Sequence, residues 1–159
     1  DLAAQYDALD EAVREVTATV PQENRRLLTY HDSFPYFARE YGWEIIGAVQ
    51  PADFAEPTPQ EVGNLIDQVR ATNVPAIFGS EVFPSPVLEQ IARETGATYV
   101  EDLRDDDLPG EAGAPDHSLP ALLVFDYRTF MGALGGDPSG FDGVDTSNIL
   151  EPDPASYRY

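Results

Sequence analysis

Apolar residues open the chain at helical spacing. Leu2, Tyr6, Leu9, Val13, Val16 and Val20 fall on one face of a first helix. Pro21 to Arg25 reads as a polar turn, and Leu27 to Tyr30 as a short apolar strand. Ser33 to Tyr41 is amphipathic, with Phe34, Phe37 and Ala38 on one face and Gly42 as its stop. Trp43 to Val49 predicts a second strand, and Gln50 to Pro57 a loop. Thr58-Pro59-Gln60-Glu61 then carries a Thr N-cap, Pro at the first helical position and Glu three residues on, followed by a stripe of Val62, Leu65, Ile66 and Val69.

The second half repeats the alternation. Pro75 to Gly79 predicts a third strand. Ser85-Pro86 starts a helix with Val87, Leu88, Ile91 and Ala92 inward and Gly96 beyond its end. Thr98 to Val100 is a fourth strand, residues 102–117 an acidic loop, and Leu119 to Leu134 a last helix with Pro120 in its first turn. From Gly135 onward, Gly, Pro, Asp and Ser dominate, which predicts an irregular tail. Alternating strands and helices imply an α/β fold. The expected architecture is a three-layer sandwich, with a mainly parallel four-stranded sheet and helices on both faces. In such sheets ligands bind at the carboxyl ends of the strands.

Charge narrows the partners. The 159 residues carry 29 acids against 9 bases, a formal charge of -20, and every base is arginine. Phosphate neutralisation needs basic side chains, so nucleic acid is excluded, and anionic lipid is disfavoured. Cations are the natural counter-charge, although solubility alone also accounts for the acidity. With no cysteine there are no disulfides, thiolate zinc sites or cysteine nucleophiles. The absence of lysine excludes P-loop and Schiff-base chemistry. No stretch is long and apolar enough to cross a membrane, and no signal peptide opens the chain. A start inside a helix suggests a piece of a longer protein.

Candidate chemistry lies at the strand ends. The two histidines, His31 and His117, each neighbour an aspartate, Asp32 and Asp116. The first strand ends in His31-Asp32, the third in Gly79-Ser80-Glu81, and the fourth runs through Glu101 and Asp102 into a loop closing on Asp116-His117. If these strands are parallel neighbours, His31, Glu81 and either Asp116 or His117 can converge. Two imidazoles and a carboxylate suit zinc, with manganese or iron as further options, and the remaining acids can orient the imidazoles. Simpler roles exist for each residue. Asp32 or Ser33 can cap the following helix with His31 bonded nearby, Glu81 can be an exposed loop carboxylate, and Asp116 can serve the dipole of the last helix. The run Asp105-Asp106-Asp107 lacks the ligand spacing and glycine of an EF-hand loop. A small hydrolase using His31 with Ser33, Ser80 or Ser118 is the enzymatic alternative, but the Gly-x-Ser-x-Gly elbow is missing.

The string Thr29-Tyr30-His31-Asp32-Ser33-Phe34-Pro35-Tyr36-Phe37-Ala38-Arg39-Glu40-Tyr41-Gly42 resembles a hallmark segment of the metal-specific substrate-binding proteins of ABC importers, the cluster A-I or zinc-uptake complex component A family. Ile46-Gly47-Ala48-Val49-Gln50, Phe78-Gly79-Ser80-Glu81 and Ile91-Ala92-Arg93-Glu94-Thr95-Gly96 follow in the family's order, so the resemblance covers about residues 1–135. The family's fold is two α/β lobes joined by one long helix, with metal between them. The resemblance therefore implies that residues 1–20 are the end of the linking helix, 21–135 the C-terminal lobe and 136–159 an irregular acidic tail. It implies His31 as the lobe's first ligand and Glu81 as the acidic or near-ligand position. Aligned on Ser118, the last ligand falls on His117; a one-residue shift gives it to Asp116. The family's Tyr and Met residues after that serine are lost here, and Pro120 is added. The implied role is extracytoplasmic capture of Zn2+, or alternatively Mn2+, for an ABC permease, with no catalysis. The N-terminal lobe, absent from this chain, would complete the site, and any lipid anchor of a lipoprotein would lie outside it. An adhesin-type interaction module on the same fold is a further alternative.

Overall fold

The computed structural model describes residues 1–51, 55–104 and 107–149. The loop expected at 50–57, the acidic run at 105–107 and the tail at 136–159 therefore lie partly outside the described residues. The described elements follow the expected alternation: helix α1 (Leu2–Thr19), β1 (Arg26–His31), α2 (Pro35–Tyr41), β2 (Glu44–Gln50), α3 (Pro59–Thr72), β3 (Ala76–Ser80), α4 (Pro86–Thr95), β4 (Thr98–Leu103) and α5 (Leu119–Ala133).

Local chemistry sets these boundaries. Thr58 and Glu61 form the expected reciprocal capping box at the start of α3. Ser85 accepts from the Leu88 amide, and Ser118 from the Ala121 amide, each ahead of a proline in the first turn. Gly42 and Gly96 end α2 and α4 in the left-handed conformation, at φ 72° and 80°. The Asp1 carboxylate accepts from the Ala4 amide at the head of α1.

Strand β1 pairs in parallel with β2, and β3 in parallel with β4. The two pairs lie side by side through β1 and β3. The expected four-stranded sheet is thus two two-stranded ladders among the described residues. Each ladder carries a register shift: β2 has one extra residue, Ile46, opposite Leu27-Leu28, and β4 has one extra residue opposite the stretch from Phe78 to Ser80.

Burial alternates across this layer. Leu27 and Phe78 point into a core built with Leu9, Val13 and Val16 of α1, Phe37 of α2, Trp43, and Phe130 and Met131 of α5. Leu28 and Ile77 point into the opposite core, with Val62, Leu65, Ile66 and Val69 of α3 and Leu88 and Ile91 of α4. All four strand residues are fully buried, as expected where helices cover both faces. The three layers are therefore those the sequence pattern implies.

Two glycines are required by close packing. A β-carbon at Gly79 would stand 2.6 Å from the Tyr99 hydroxyl, and one at Gly47 would stand 2.5 Å from Leu65 Cδ2. Residues 136–149 contain one short 3-10 turn, Pro138–Phe141, yet they pack on the fold. Phe141 is buried at 1 % exposure, and the Asp137 amide donates to Thr19 Oγ1 at 2.8 Å.

Candidate metal site

Strand pairing decides which side chains meet. Strand β1 reaches one residue further than expected, so His31 occupies its last position, opposite Gln50 of β2. The Thr29 hydroxyl donates to the His31 carbonyl at 2.6 Å and fixes the strand end. The imidazole is half-buried. It stands edge-on to Tyr30, at 4.6 Å between centroids, and to Phe83, at 5.7 Å. Phe83 stacks on Tyr30 at 5.9 Å and comes from the loop that follows Glu81. These ring contacts hold the end of β1 against the loop after β3. Asp32 and Ser33 are exposed, and α2 starts at Phe34 without a side-chain cap, so neither takes the capping role open to it.

The ends of β3 and β4 are joined directly. The Glu81 amide donates to the Leu103 carbonyl at 3.0 Å. Strand β4 runs three residues beyond the expected Val100, because pairing of Ser80 with Leu103 outweighs the poor strand propensity of Glu101 and Asp102. Ser80, Glu81, Pro84, Glu101 and Asp102 line a shallow cleft of about 200 Å³. Its charged lining is three carboxylates, a surface that attracts cations. The Glu81 carboxylate also lies 3.6 Å from Nη1 of Arg104. Beneath the cleft, Tyr99 accepts from the Ser85 amide at 3.3 Å, and burial holds its phenol above the ordinary value. It is therefore neutral at neutral pH.

His117 faces elsewhere. Its Nδ1 lies 3.2 Å from the Pro109 carbonyl, which can only accept, so that nitrogen is the donor of the contact. The ring contributes to a mostly apolar cavity of about 370 Å³, with Leu2, Gln5, Tyr6, Leu108 and Ile149 among its walls. Asp116 turns towards Gly110, where a β-carbon would come within 2.5 Å of Oδ1. The fold thus brings His31, Glu81, Glu101 and Asp102 to one edge, directs His117 to another cavity and sets Asp116 against Gly110. Among the described residues, no three His, Asp or Glu side chains are grouped closely enough to hold a metal ion. The hydrolase serines are otherwise engaged or exposed. Ser80 Oγ accepts from the Val82 amide, Ser118 Oγ caps α5 and donates to the Thr146 carbonyl, and Ser33 is exposed.

Glu101 and Asp102 entered the sequence reading only as orienting acids at the mouth of a loop. The signal for a longer strand was the apolar Leu103, which is buried in the same core that Val100 packs against, three residues on across the register shift in β4.

Comparison with protein-family models matches residues 1–119 to the zinc-uptake complex component A, periplasmic. The iron-binding protein YfeA of Yersinia pestis is 32 % identical over 133 residues, covering 84 % of this chain and 42 % of that protein. The zinc-binding protein TroA of Treponema pallidum is 28 % identical over 134 residues, covering 82 % and 44 %. The solved structure of periplasmic zinc binding protein TroA superposes with a TM-score of 0.73 at 27 % identity, covering 83 % of this chain and 49 % of that one. The chain spans less than half the length of these relatives. No helix among the described residues is long and apolar enough to cross a membrane. The match over residues 1–119 and the superposition of the parallel α/β layers agree, and the chain belongs to the zinc-uptake complex component A family of metal ABC transporter substrate-binding proteins.

Proposed function

We propose that this chain is the C-terminal lobe of an extracytoplasmic protein that captures a divalent transition metal and delivers it to an ABC permease, without catalysing a reaction. The observation that carries the reading is one edge of the fold, with His31 at the end of β1, Glu81 just beyond β3, and Glu101 and Asp102 in the last paired stretch of β4. His31 supplies the neutral imidazole nitrogen. Glu81 supplies oxygen, and Glu101 and Asp102, which are not grouped with His31 and Glu81 closely enough to share an ion, draw the cation by charge. His117 and Asp116, the other ligand candidates, lie outside the cleft that Glu81, Glu101 and Asp102 line. A mixed nitrogen and oxygen donor set favours Zn2+, with Mn2+ second, because manganese prefers oxygen-rich sites. The relatives whose names specify zinc, manganese and iron fit a cargo in this range.

The ligands on one lobe are an incomplete shell, and donors from a second lobe would close it. The periplasmic family model and the relatives named as lipoproteins support an extracytoplasmic location. Metal affinity falls as imidazole protonates, so acidification releases cargo.

Titrating the chain with zinc, manganese and ferrous iron by NMR tests the reading. Weak zinc binding that His31→Ala abolishes is the expected result. Tight, stoichiometric binding unaffected by His31→Ala would overturn it.

A further inference from the structure

Among the described residues Arg104 is the arginine paired with a carboxylate of the acidic edge, and its surroundings hold it there. Its backbone amide donates to the Asp126 carboxylate at 2.8 Å, and Asp126 is itself buried on α5. Its guanidinium lies over the Phe125 ring, 5.1 Å from the centroid. Nη1 donates to the Asp107 carbonyl at 3.3 Å and stands 3.6 Å from Glu81 Oε1. Nε is buried and has no hydrogen-bond partner among the described residues. The Arg104 side chain is 23 % exposed and that of Glu81 31 %. The other ion pairs each include at least one side chain that is 44 % exposed or more. A long side chain kept in place by a ring, a carbonyl and a buried backbone anchor loses little further freedom when it pairs with a carboxylate.

An arginine cannot ligate a metal, yet here it occupies a carboxylate beside Glu101 and Asp102. We propose that Arg104 is a built-in competitor of the cargo cation: it neutralises Glu81 in the empty lobe and must give that carboxylate up when metal binds. This deepens the metal-capture reading and rests on it. The consequence is a lowered affinity and an eased release, since the guanidinium is ready to reclaim Glu81 when the ion departs. No bond is made or broken covalently; one counter-cation replaces another on the same oxygens. Glu81 is thus a ligand whose availability Arg104 sets, and Arg104 acts as a specificity and affinity residue through Glu81.

A double-mutant cycle on the chain with zinc as the probe tests this by NMR titration. Arg104→Gln should tighten zinc binding about fivefold at low salt, the scale of the attraction between a guanidinium and a carboxylate a few ångströms apart in a water-like dielectric, which the metal no longer has to displace. In the Glu81→Gln background the same substitution should change affinity less than twofold. Equal tightening in both backgrounds would overturn the proposal, because the charge would then act through the general field. No tightening in either would overturn it as well. Should Arg104→Gln fail to fold, the Arg104 Nε–H resonance of the wild-type chain gives an independent reading. Saturating zinc should move it to its position in metal-free Glu81→Gln, and an unmoved resonance in zinc-saturated protein would refute the exchange. If the wild-type chain binds no zinc at all, the metal-capture reading itself fails, an outcome distinct from binding that is indifferent to Arg104.

Discussion

Phe130 on α5 is the side chain on which the support of the His31 segment converges, and Phe130→Ala is the most informative packing perturbation. The ring is fully buried. Its centroid lies 5.6 Å from Phe34, 5.3 Å from Phe37, 5.4 Å from Trp43, 6.1 Å from Phe78 and 5.7 Å from Tyr127. Phe34 and Phe37 belong to the stretch that follows His31 directly, and Phe78 lies three residues before Glu81. Replacing a buried Phe by Ala removes its transfer free energy and leaves a cavity, at a cost of about 3–5 kcal/mol. These neighbours are rigid rings and cannot collapse easily into the void, which places the cost in the upper half of that range. For a chain of this size the change lowers Tm by roughly 8–20 °C. Urea denaturation followed by tryptophan fluorescence measures it, with Trp43 as the single reporter in contact with the site of change. The midpoint should fall while the slope stays constant. A loss below about 1 kcal/mol would refute the claim that this ring centres the core, since it would mean the neighbours repack freely.

Other outcomes follow from the same structure. Gly79→Ala should destabilise strongly through its contact with the Tyr99 ring, and Tyr99→Ala in the same chain should give a less than additive loss in thermal denaturation; simple additivity would deny the contact. Asp10 accepts from Tyr41 and Arg14, and those hydrogen bonds, Tyr41 first, hold its carboxyl below the ordinary range. A depressed carboxyl contributes stability that is complete above its unfolded-state pKa and lost as pH falls through the folded one. The stability difference between wild type and Tyr41→Phe, measured across pH 7 to 2, should therefore shrink on the acid side, and a constant difference would deny the linkage. Raising NaCl should raise Tm, because a net charge of -20 repels itself, whereas the mostly exposed ion pairs contribute little to be screened away; a falling Tm would show the pairs to dominate.

The order of elements was legible because each carries its own local signal. Thr58 and Glu61 announce α3, Gly42 and Gly96 close their helices, and apolar pairs such as Leu27-Leu28 and Ile77-Phe78 mark strands buried on both faces. Strand length was less legible, because it depends on a partner. Polar Glu101 and Asp102 read as loop until pairing with β3 is known, and His31 joins β1 only through its pairing opposite Gln50. The candidate site follows the same division. Strand-end rules bring His31 and Glu81 to one edge, but nothing local to Asp116-His117 tells which cavity the returning loop will face. The Pro109 carbonyl that orients His117 lies eight residues away in that loop, and Leu2 and Tyr6 of its cavity come from the far end of the sequence. The pairing of Arg104 with Glu81 joins two strand ends and has no signature along the chain.

The most direct test of the account is a zinc titration of the chain followed residue by residue by NMR, with His31→Ala and His117→Ala in parallel. The predicted result is that zinc perturbs His31, Glu81, Glu101 and Asp102, that His31→Ala removes these changes and that His117→Ala leaves them in place. Perturbations centred on His117 that survive His31→Ala would contradict it.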